Sequence, residues 1–414
     1  MEDGPGGRLS ALDPHRVDAR HFLIAGAGIG GLAAALALAR TGARITLLEQ
    51  APVLEEAGAG LQLSPNASGI LSELGVLPRL EGLAMAPERL RVRSATSGRD
   101  LMFMPLGQTA RARWGAPTLV VHRADLQRAL LEAVAEQDMI TLRTGVEITA
   151  FTRETDGVHV HATGDTGTIC GDVLIGADGA HSRIRRSLGL GSEPVWSGRT
   201  AWRALVPASE APAFARADET SLWLGARTHL VHYPLRQGAL INIVAITDDG
   251  WRGADPARFW TERGDERVVT QRFADWHMEA RGLLECVRDW RRWPLFDCDP
   301  LKRWSAGPVA LLGDAAHPML PFFAQGAAQA IEDAGALGQA FMPCATGVPS
   351  ITRALADYER KRVARAARVQ TASRRQAMIY HLSGPAALVR DIGMRALPPQ
   401  AVMARFDWLY RYPA

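Results

Sequence analysis

Near the start of the chain, the pattern of apolar and polar positions predicts a strand–turn–helix–strand unit. A short apolar strand at His21–Ile24 is followed by a glycine-rich turn and by a helix rich in Ala and Leu over Leu32–Arg40. A second apolar strand over Arg44–Leu48 comes next. Because this order within about 30 residues is typical of a parallel βαβ unit, we expect an α/β fold with a Rossmann-like sheet.

The pattern changes twice further along the chain. Apolar strands recur at Val173–Ile175 and Val309–Leu312, each followed by a Gly/Asp turn. Extended stretches such as Thr228–Pro234 and Ala239–Ile246 then predict a mainly antiparallel sheet. The arginine-rich segment from Ile351 to Arg375 predicts a long helix, whose charges are expected to form a solvated face.

These changes divide the chain into predicted domains. Residues 1–18, rich in Gly and Pro, are expected to form a disordered leader. Residues 19–195 and 305–345 together are predicted to form one discontinuous dinucleotide-binding domain. Residues 196–304 are predicted to form a substrate domain, and residues 346–414 a C-terminal helical region.

Composition narrows the class of protein. The 414 residues carry a net charge of +3 without a dense basic block, so no nucleic-acid partner is expected. Four cysteines without Cys-x-x-Cys spacing indicate neither a metal site nor a disulfide framework, and we expect a cytoplasmic location. The apolar run Leu23–Ala39 is shorter than the ~20 residues of a membrane span and is interrupted by glycines, so no integral membrane association is expected.

The glycine-rich turn has the spacing of a dinucleotide-binding fingerprint. Gly26 allows the tight turn, Gly28 lets the backbone approach a pyrophosphate, and Gly31 lets the helix pack on the strand. The free N–H groups at the helix N-terminus favour the anionic pyrophosphate. Glu49, at the end of the second strand, is placed to accept hydrogen bonds from ribose hydroxyls. By itself, the fingerprint does not distinguish FAD from NAD.

Two downstream turns carry a resemblance to a known family. One buried strand runs into Asp178-Gly179, and another runs into Gly313-Asp314-Ala315-Ala316-His317. Together with the glycine fingerprint, these turns resemble the signatures of class A (single-component) FAD-dependent aromatic hydroxylases, from about residue 20 to the C-terminus. The segment Pro318–Ala327 is similar to that of 3-hydroxybenzoate 6-hydroxylases and 6-hydroxynicotinate 3-monooxygenases, and less similar to that of salicylate hydroxylases.

The resemblance implies FAD as the cofactor and names residues that would hold it. Asp314 would hydrogen-bond the ribityl chain, and Asp178 would support both FAD and the passing nicotinamide. Arg123 and Gln127, one turn apart on a helix, match the family's FAD-contacting pair, although a plain surface arginine is the alternative for Arg123.

The resemblance also places a helix at the flavin. Gly326 and Ala327, opening a helix predicted over Ala327–Leu337, would point backbone N–H groups at the pyrimidine edge, where the helix dipole stabilises anionic reduced flavin. The sequence contains no second glycine fingerprint for NADH or NADPH. That suits the family, which lacks a separate nicotinamide domain.

The reaction implied by the resemblance is hydroxylation of a phenolic or heteroaromatic carboxylic acid with NAD(P)H and O2, through a hydroperoxide on the flavin C4a atom. Because this oxygen is electrophilic, the ring must be electron-rich, and a base near the phenolic proton is needed. His229 is the candidate proton acceptor, Tyr233 would position the ring or its carboxylate, and Gln325 would hydrogen-bond the substrate or the hydroperoxide. Positions 229 and 233 share one side of a strand, whereas His232 faces the other.

Several interpretations stay open at this point. His229 has a structural role as its alternative, and Arg203 either clamps a carboxylate or lies at a strand edge. His317 is expected to be structural, and Phe322-Phe323, where relatives carry Tyr, predicts a less polar pocket wall. The alternative functions are an FAD monooxygenase for a larger biosynthetic aromatic or a quinone precursor, and a non-catalytic flavin-binding sensor or carrier. No metal is expected, and a homodimer is expected from relatives.

Overall fold

The computed structural model of the protein describes residues 20–54, 59–163, 167–191, 193–248, 262–342 and 350–411. The leader predicted at residues 1–18 lies outside the described residues. The strands are β1 (His21–Ala25), β2 (Arg44–Glu49), β3 (Gly60–Leu63), β4 (Arg89–Ser94), β5 (Asp100–Pro105), β6 (Leu119–His122), β7 (Ile140–Thr144), β8 (Ile148–Glu154), β9 (Gly157–Ala162), β10 (Thr168–Gly171), β11 (Val173–Gly176), β12 (Val195–Pro207), β13 (Glu219–Gly225), β14 (Thr228–Leu235), β15 (Leu240–Asp248), β16 (Glu262–Arg263), β17 (Arg291–Asp297), β18 (Ser305–Ala306) and β19 (Val309–Leu311).

The helices are α1 (Ile29–Ala39), α2 (Pro65–Glu73), α3 (Gly107–Trp114), α4 (Arg123–Ala135), α5 (Arg183–Ser187), α6 (Glu266–Arg272), α7 (Met278–Glu285), α8 (Gly326–Phe341), α9 (Ile351–Tyr380), α10 (Gly384–Arg395), α11 (Pro399–Ala404) and α12 (Asp407–Tyr410). Among the described residues, none of these helices combines the length and the apolar character that crossing a membrane requires.

The first large sheet contains the predicted βαβ unit. Its strand order is β18-β19-β11-β1-β2-β7, and its pairs are parallel except for β18 with β19. Ile24 in β1 lies beside Ile175 on one side and Leu47 on the other, and all three are buried, as expected for a parallel sheet covered on both faces. Helix α1 begins at Ile29, three residues earlier than predicted, because the end of the glycine turn already forms the first helical turn.

The second large sheet is mainly antiparallel, as predicted. Its order is β16-β17-β12-β15-β14-β13-β4-β5, and its one parallel pair among the described residues is β13 with β4. Strands β4 and β5 come from Arg89–Pro105, inside the segment predicted to belong to the dinucleotide-binding domain. Two strands of the second sheet therefore precede, in the sequence, strands β7 and β11 of the first sheet.

The C-terminal region is helical, as predicted, but the solvated face predicted for its long helix is wrong at one position. Helix α9 runs on to Tyr380, and its Arg362 is fully buried. The Arg362 guanidinium donates to the carboxylates of Glu332 and Asp333 on α8, which are also fully buried. An arginine that would cost much to bury alone is tolerated here because two acids neutralise it.

Candidate active site

A cavity of about 320 Å³ is lined by strands of the second large sheet and by turns that follow strands of the first. One side consists of backbone-rich turns, represented by Gly28, Gly179 and Asp314, together with the start of α8. The opposite side, called the cavity wall below, is the face of the second sheet and consists of Arg203, Val244 and Ile246 with His229, Val231 and Tyr233. The site therefore joins a surface suited to a dinucleotide and a surface suited to a small ring.

The glycine turn is tightly packed at two positions and open at the third. Gly26 has a φ of +99°, and a Cβ there would lie 2.5 Å from the Ala177 carbonyl oxygen. A Cβ at Gly31 would lie 1.9 Å from the Gly26 carbonyl oxygen. A Cβ at Gly28 would have no atom within 4 Å, and Gly28 lines the cavity. The free space at Gly28, beside the N-terminus of α1, fits a pyrophosphate.

Glu49 supports this turn from the end of β2. Its carboxylate accepts hydrogen bonds from the backbone N–H of Ala27, at 2.7 Å, and of Ala51, at 2.9 Å. Each carboxylate oxygen keeps a further lone pair for another donor. Glu49 is therefore held in place beside the glycine turn, and its predicted contact with a ribose remains a proposal.

Asp314 and the start of α8 face the same cavity. The Asp314 carboxylate is exposed and makes no hydrogen bond with the described residues. A Cβ at Gly326 would lie 4.0 Å from Asp314 Oδ1, so this carboxylate and the start of α8 are neighbours. Gly326 and Ala327 both line the cavity, and their N–H groups belong to the first turn, where no intrahelical partner exists.

A cluster of buried charges, the α8 support cluster (His317, Glu332, Asp333, Arg362 and Arg365), lies behind this helix. Asp333 Oδ2 accepts from the Gly313 N–H at 2.9 Å and lies 2.6 Å from His317 Nε2. Burial alone would raise the pKa of Asp333, but the charges of His317 and Arg362 outweigh burial and hold it below its usual value. His317 is structural, as the sequence predicts, because its ring fixes the turn that carries Asp314.

Gln325 is positioned inside the protein rather than in the cavity lining. Its Nε2 donates to Ser64 Oγ at 2.8 Å, and its Oε1 accepts from Asn66 Nδ2 at 3.1 Å and from Gln329 Nε2 at 3.2 Å. The side chain is almost fully buried. Its amide is thus occupied by protein partners, and its predicted contact with the substrate remains a proposal.

The other predicted cofactor residues lie at different distances from the cavity. Arg123, at the start of α4, lines it, whereas Gln127 is buried one turn along the helix and is not part of the lining. Asp178 accepts from Ser182 Oγ at 2.6 Å and from the Arg183 N–H at 2.8 Å, so it caps α5. Its neighbours in the turn line the cavity, so Asp178 shapes the backbone there.

The predicted alternation along β14 is confirmed. His229, Val231 and Tyr233 line the cavity, while the His232 ring is buried on the other face and accepts from Trp223 Nε1 at 3.1 Å. Burial raises the pKa of Tyr233, with the Arg203 charge opposing it, so its hydroxyl is neutral at pH 7. The Phe322 ring lies 5.1 Å from that of His229, but Phe322 and Phe323 line a smaller neighbouring cavity rather than this one, so the apolar pocket wall predicted from them stays a prediction.

Arg203 lies at one side of the cavity wall, on β12, with β15 between it and β14. Strand register places it in one row with Val244 and Val231, between the row of His229 and the row of Tyr233. The guanidinium lies over the Trp293 ring, 5.5 Å from its centroid, and forms no ion pair with the described residues. Burial lowers the pKa of Arg203, but a guanidinium remains charged at pH 7. A half-buried cation without an acidic partner is suited to an anionic ligand.

Three features of the site were not anticipated from the sequence. His381, just beyond α9, hydrogen-bonds His229. Asn242 Oδ1 accepts from the Gly60 N–H at 2.7 Å, and a Cβ at Gly60 would lie 2.6 Å from Tyr233 Cε2, so β3 holds the Tyr233 ring. Ala324 adopts a left-handed φ of +51° beside the cavity. No group of His, Cys, Asp or Glu among the described residues is arranged to hold a metal ion.

Comparison with known proteins agrees with this geometry. A family model described as an FAD binding domain matches residues 20–373. The 3-hydroxybenzoate 6-hydroxylase 1 of Aquipseudomonas alcaligenes is 38% identical, with 94% of this chain and 97% of that protein covered. The 6-hydroxynicotinate 3-monooxygenase of Bordetella bronchiseptica is 35% identical over 84% of this chain and 89% of that protein.

Solved structures show the same architecture. Klebsiella pneumoniae HpxO, in complex with FAD and uric acid, superimposes with a TM-score of 0.81 at 26% identity, covering 93% of this chain and 95% of that one. The open glycine turn, the exposed Asp314 and the free start of α8 are arranged as an FAD site requires. The chain belongs to the FAD-binding domain family of FAD-dependent aromatic-ring monooxygenases.

Proposed function

We propose that this enzyme hydroxylates a phenolic or heteroaromatic carboxylic acid, with 3-hydroxybenzoate as the first substrate to test and NADH or NADPH as the reductant. The observation that carries the proposal is the arrangement of the cavity wall, where Arg203 on β12 lies two strands away from His229 and Tyr233 on β14, in the row between theirs. Alternate residues of a strand are about 7 Å apart and two strand spacings amount to about 10 Å, so the Cα atom of Arg203 lies about 12 Å from those of His229 and Tyr233, and the side chains reach into the space between. This spacing suits a benzoate with a carboxylate at one end and a hydroxyl at the other.

Arg203 would bind the carboxylate. Its guanidinium lacks an acidic partner among the described residues and is partly desolvated, so a bidentate carboxylate would compensate the cost of its burial. Val231, Val244 and Ile246, which share one face of the second sheet, would contact the ring from that side and exclude water there. His229 and Tyr233 would then contact its polar substituents.

FAD, when bound, would pass two electrons from the nicotinamide to O2, from which one oxygen atom enters the ring and the other leaves as water. The residues proposed to hold it are Gly26, Gly28 and Gly31 in the turn, Glu49 at the ribose, Arg123 at the cavity edge, Asp314 at the ribityl chain, and Gly326 and Ala327 at the flavin, with Gln127 and Asp178 supporting them from behind. The N-terminus of α8 would stabilise negative charge on the reduced ring by about 0.3–1 kcal/mol.

His229, Tyr233 and Gln325 remain the proposed catalytic residues. His229 would contact the phenolic oxygen, and Tyr233, neutral and held by β3, would orient the ring. Gln325 would reach the substrate only by exchanging its present hydrogen bonds to Ser64 and Asn66. A homodimer and a cytoplasmic location also stay proposals.

The test is NADH consumption and oxygen uptake by the purified, FAD-loaded protein. We expect 3-hydroxybenzoate to stimulate both and to yield a dihydroxybenzoate, with salicylate and 6-hydroxynicotinate as comparison substrates. Benzoate, which lacks the hydroxyl, is the matched control and should yield no product. If none of the three acids stimulates turnover, the larger biosynthetic substrate replaces this proposal. If NADH is never oxidised, a non-catalytic flavin-binding sensor or carrier replaces this proposal.

A further inference from the structure

A pair of histidines connects the cavity wall to the end of α9. His229 Nδ1 and His381 Nε2 are 2.9 Å apart, and both rings are buried. At this distance one nitrogen donates a proton and the other accepts it. Which of the two donates decides whether the nitrogen that His229 presents to the cavity is a base or a donor.

A neighbouring arginine determines this direction. Arg199 Nε donates to His381 Nδ1 at 3.4 Å, and a guanidinium has no acceptor. His381 Nδ1 is therefore unprotonated, and the proton of the neutral ring lies on Nε2. That N–H donates to His229 Nδ1, which leaves the proton of His229 on its own Nε2. This nitrogen makes no hydrogen bond with any described residue, and the ring lines the cavity.

Both rings are neutral at pH 7. Burial, with Arg199 adding to it, lowers the pKa of His381 to about 4. Burial, with the charges of His381 and Arg199 adding to it, holds the pKa of His229 well below its usual value. Each neutral ring carries one N–H, so the direction of donation is defined from Arg199 through His381 to His229.

The groups around the pair support this direction. Arg199, Arg227 and Arg390 act on His381 as positive charges, and Asp248 opposes them. Asp248 is paired with Arg227 at 3.2 Å, which reduces its pull on the His381 proton. Around His229 the nearest rings besides His381 are Phe322 and Tyr380, and among the described residues no carboxylate contacts it.

We propose that Arg199, His381 and His229 form a directed hydrogen-bond chain that presents an N–H donor to the cavity, so that His229 stabilises the phenolate form of the substrate. This rests on the proposed function. It makes His229 a hydrogen-bond donor to the substrate oxygen instead of the acceptor of its proton. The phenolic O–H bond breaks, its proton passes to solvent water, and the electron pair stays on the oxygen, which accepts from His229 Nε2. His381 is a positioning residue that fixes the tautomer of His229.

The experiment measures the ionisation of a bound phenol directly. The probe is 5-hydroxy-2-nitrobenzoate, a 3-hydroxybenzoate with a nitro group para to the phenol, whose phenolate absorbs visible light. Difference spectra of the FAD-loaded protein with the probe are recorded against pH. In the wild type we expect the pKa of the bound phenol to lie below that of the free probe.

Two substitutions of His381 separate donation from mere packing. His381→Leu removes the donor, and we expect the pKa of the bound phenol to rise by about one unit, a tenfold loss of phenolate at a given pH. His381→Gln keeps an amide N–H that can donate to His229 Nδ1, and we expect it to retain the wild-type pKa. Equal effects of the two variants, or no effect of either, would overturn the proposal.

Two arginine substitutions distinguish a specific hydrogen bond to His381 from the long-range effect of a positive charge. They also test the proposal if His381→Leu does not fold. Arg199→Leu removes the donor to His381, and we expect most of the same rise. Arg227→Leu removes an equal charge that makes no side-chain hydrogen bond to the His381 ring. We expect it to raise the pKa of the bound phenol by less than about a third of the rise caused by Arg199→Leu. An equal rise in both would show long-range electrostatics instead and would reject the chain.

Oxygen uptake by the wild type with 3-hydroxybenzoate distinguishes a failure of the hydrogen-bond chain from a failure of the proposed function. If product forms but the bound probe is no more acidic than the free one, the inference fails and the proposed function stands. If neither acid binds or turns over, the proposed function fails and takes the inference with it. FAD content and the unfolding midpoint of each variant are compared with those of the wild type, as the check on folding.

Discussion

Behind α8, Arg362 contacts two carboxylates, whereas across the cavity Arg203 contacts none among the described residues. Both arginines are removed from bulk water, so both incur a desolvation cost. In the α8 support cluster the cost is offset inside the protein, and the result is a rigid turn that carries Asp314. In the cavity wall it is left for a ligand to offset. The comparison teaches that the pairing of a buried charge, rather than its burial, distinguishes a structural from a binding role.

The largest effect should come from breaking the α8 support cluster. Arg362→Leu leaves Glu332 and Asp333 buried without their cation, and we expect a loss of about 3–5 kcal/mol in the free energy of unfolding, measured by guanidinium denaturation. Arg360→Leu on the same helix is the matched control, because Arg360 pairs with Asp357 at the surface. It should change stability by less than about 0.5 kcal/mol. Equal losses would contradict the distinction between the two regions.

In the cavity wall, replacing an arginine by an apolar residue should leave the fold intact. Arg203→Met removes a charge without an acidic partner, so we expect no loss of stability but a 10–100-fold weaker Kd for 3-hydroxybenzoate, or about 1.5–3 kcal/mol. Flavin fluorescence titration measures the affinity. The uncharged 3-hydroxybenzamide is the control ligand, since its affinity should hardly change. A fall in stability like that of Arg362→Leu would mean that Arg203 is structural.

The glycine turn allows the same contrast at smaller scale. Gly28→Ala adds a methyl group in free space, so we expect a stability change below about 1 kcal/mol in the FAD-free protein but at least a roughly tenfold weaker Kd for FAD. Gly31→Ala, whose Cβ would overlap the Gly26 carbonyl, should instead destabilise the protein. Both are measured by FAD titration and thermal unfolding. Undiminished FAD binding by Gly28→Ala would argue against a pyrophosphate there.

The smallest effect concerns acid stability. His381 has a pKa of about 4 in the folded protein and about 6.5 when unfolded, so the unfolded chain binds more protons between these values. The free energy of unfolding should therefore fall as pH drops from 6.5 towards 4. In His381→Gln this fall, measured between pH 6.5 and 5.5, should be smaller by about 1 kcal/mol. An unchanged pH dependence would show that His381 is not held neutral by the fold.

Local patterns were sufficient to predict much of the fold. The βαβ unit follows from the glycine spacing and the apolar runs beside it, and the common side of His229 and Tyr233 follows from the period of a strand. Both predictions depend only on neighbours along the chain. They therefore succeed without knowledge of the tertiary structure.

Contacts between distant segments could not be predicted in this way. His381 lies 152 residues from His229, and no feature of its surroundings in the sequence indicates that partner. Arg362 belongs to a charge run that is typical of a solvated helix, and only the packing of α9 on α8 brings it to two acids. Gln325 lies in a turn that faces the flavin site, but Ser64 and Asn66 occupy its amide.

The early entry of β4 and β5 into the second sheet has a consequence for synthesis on the ribosome. Strand β4 pairs with β13, and the pair Arg89 and Glu219 is 130 residues apart in the chain. At 5–20 residues per second, the β4–β5 hairpin waits on the order of ten seconds before its partner emerges. The second sheet is complete only after β17, which ends at Asp297, and the first only after β19, which ends at Leu311, so neither side of the active site is finished until both sheets have been almost fully translated.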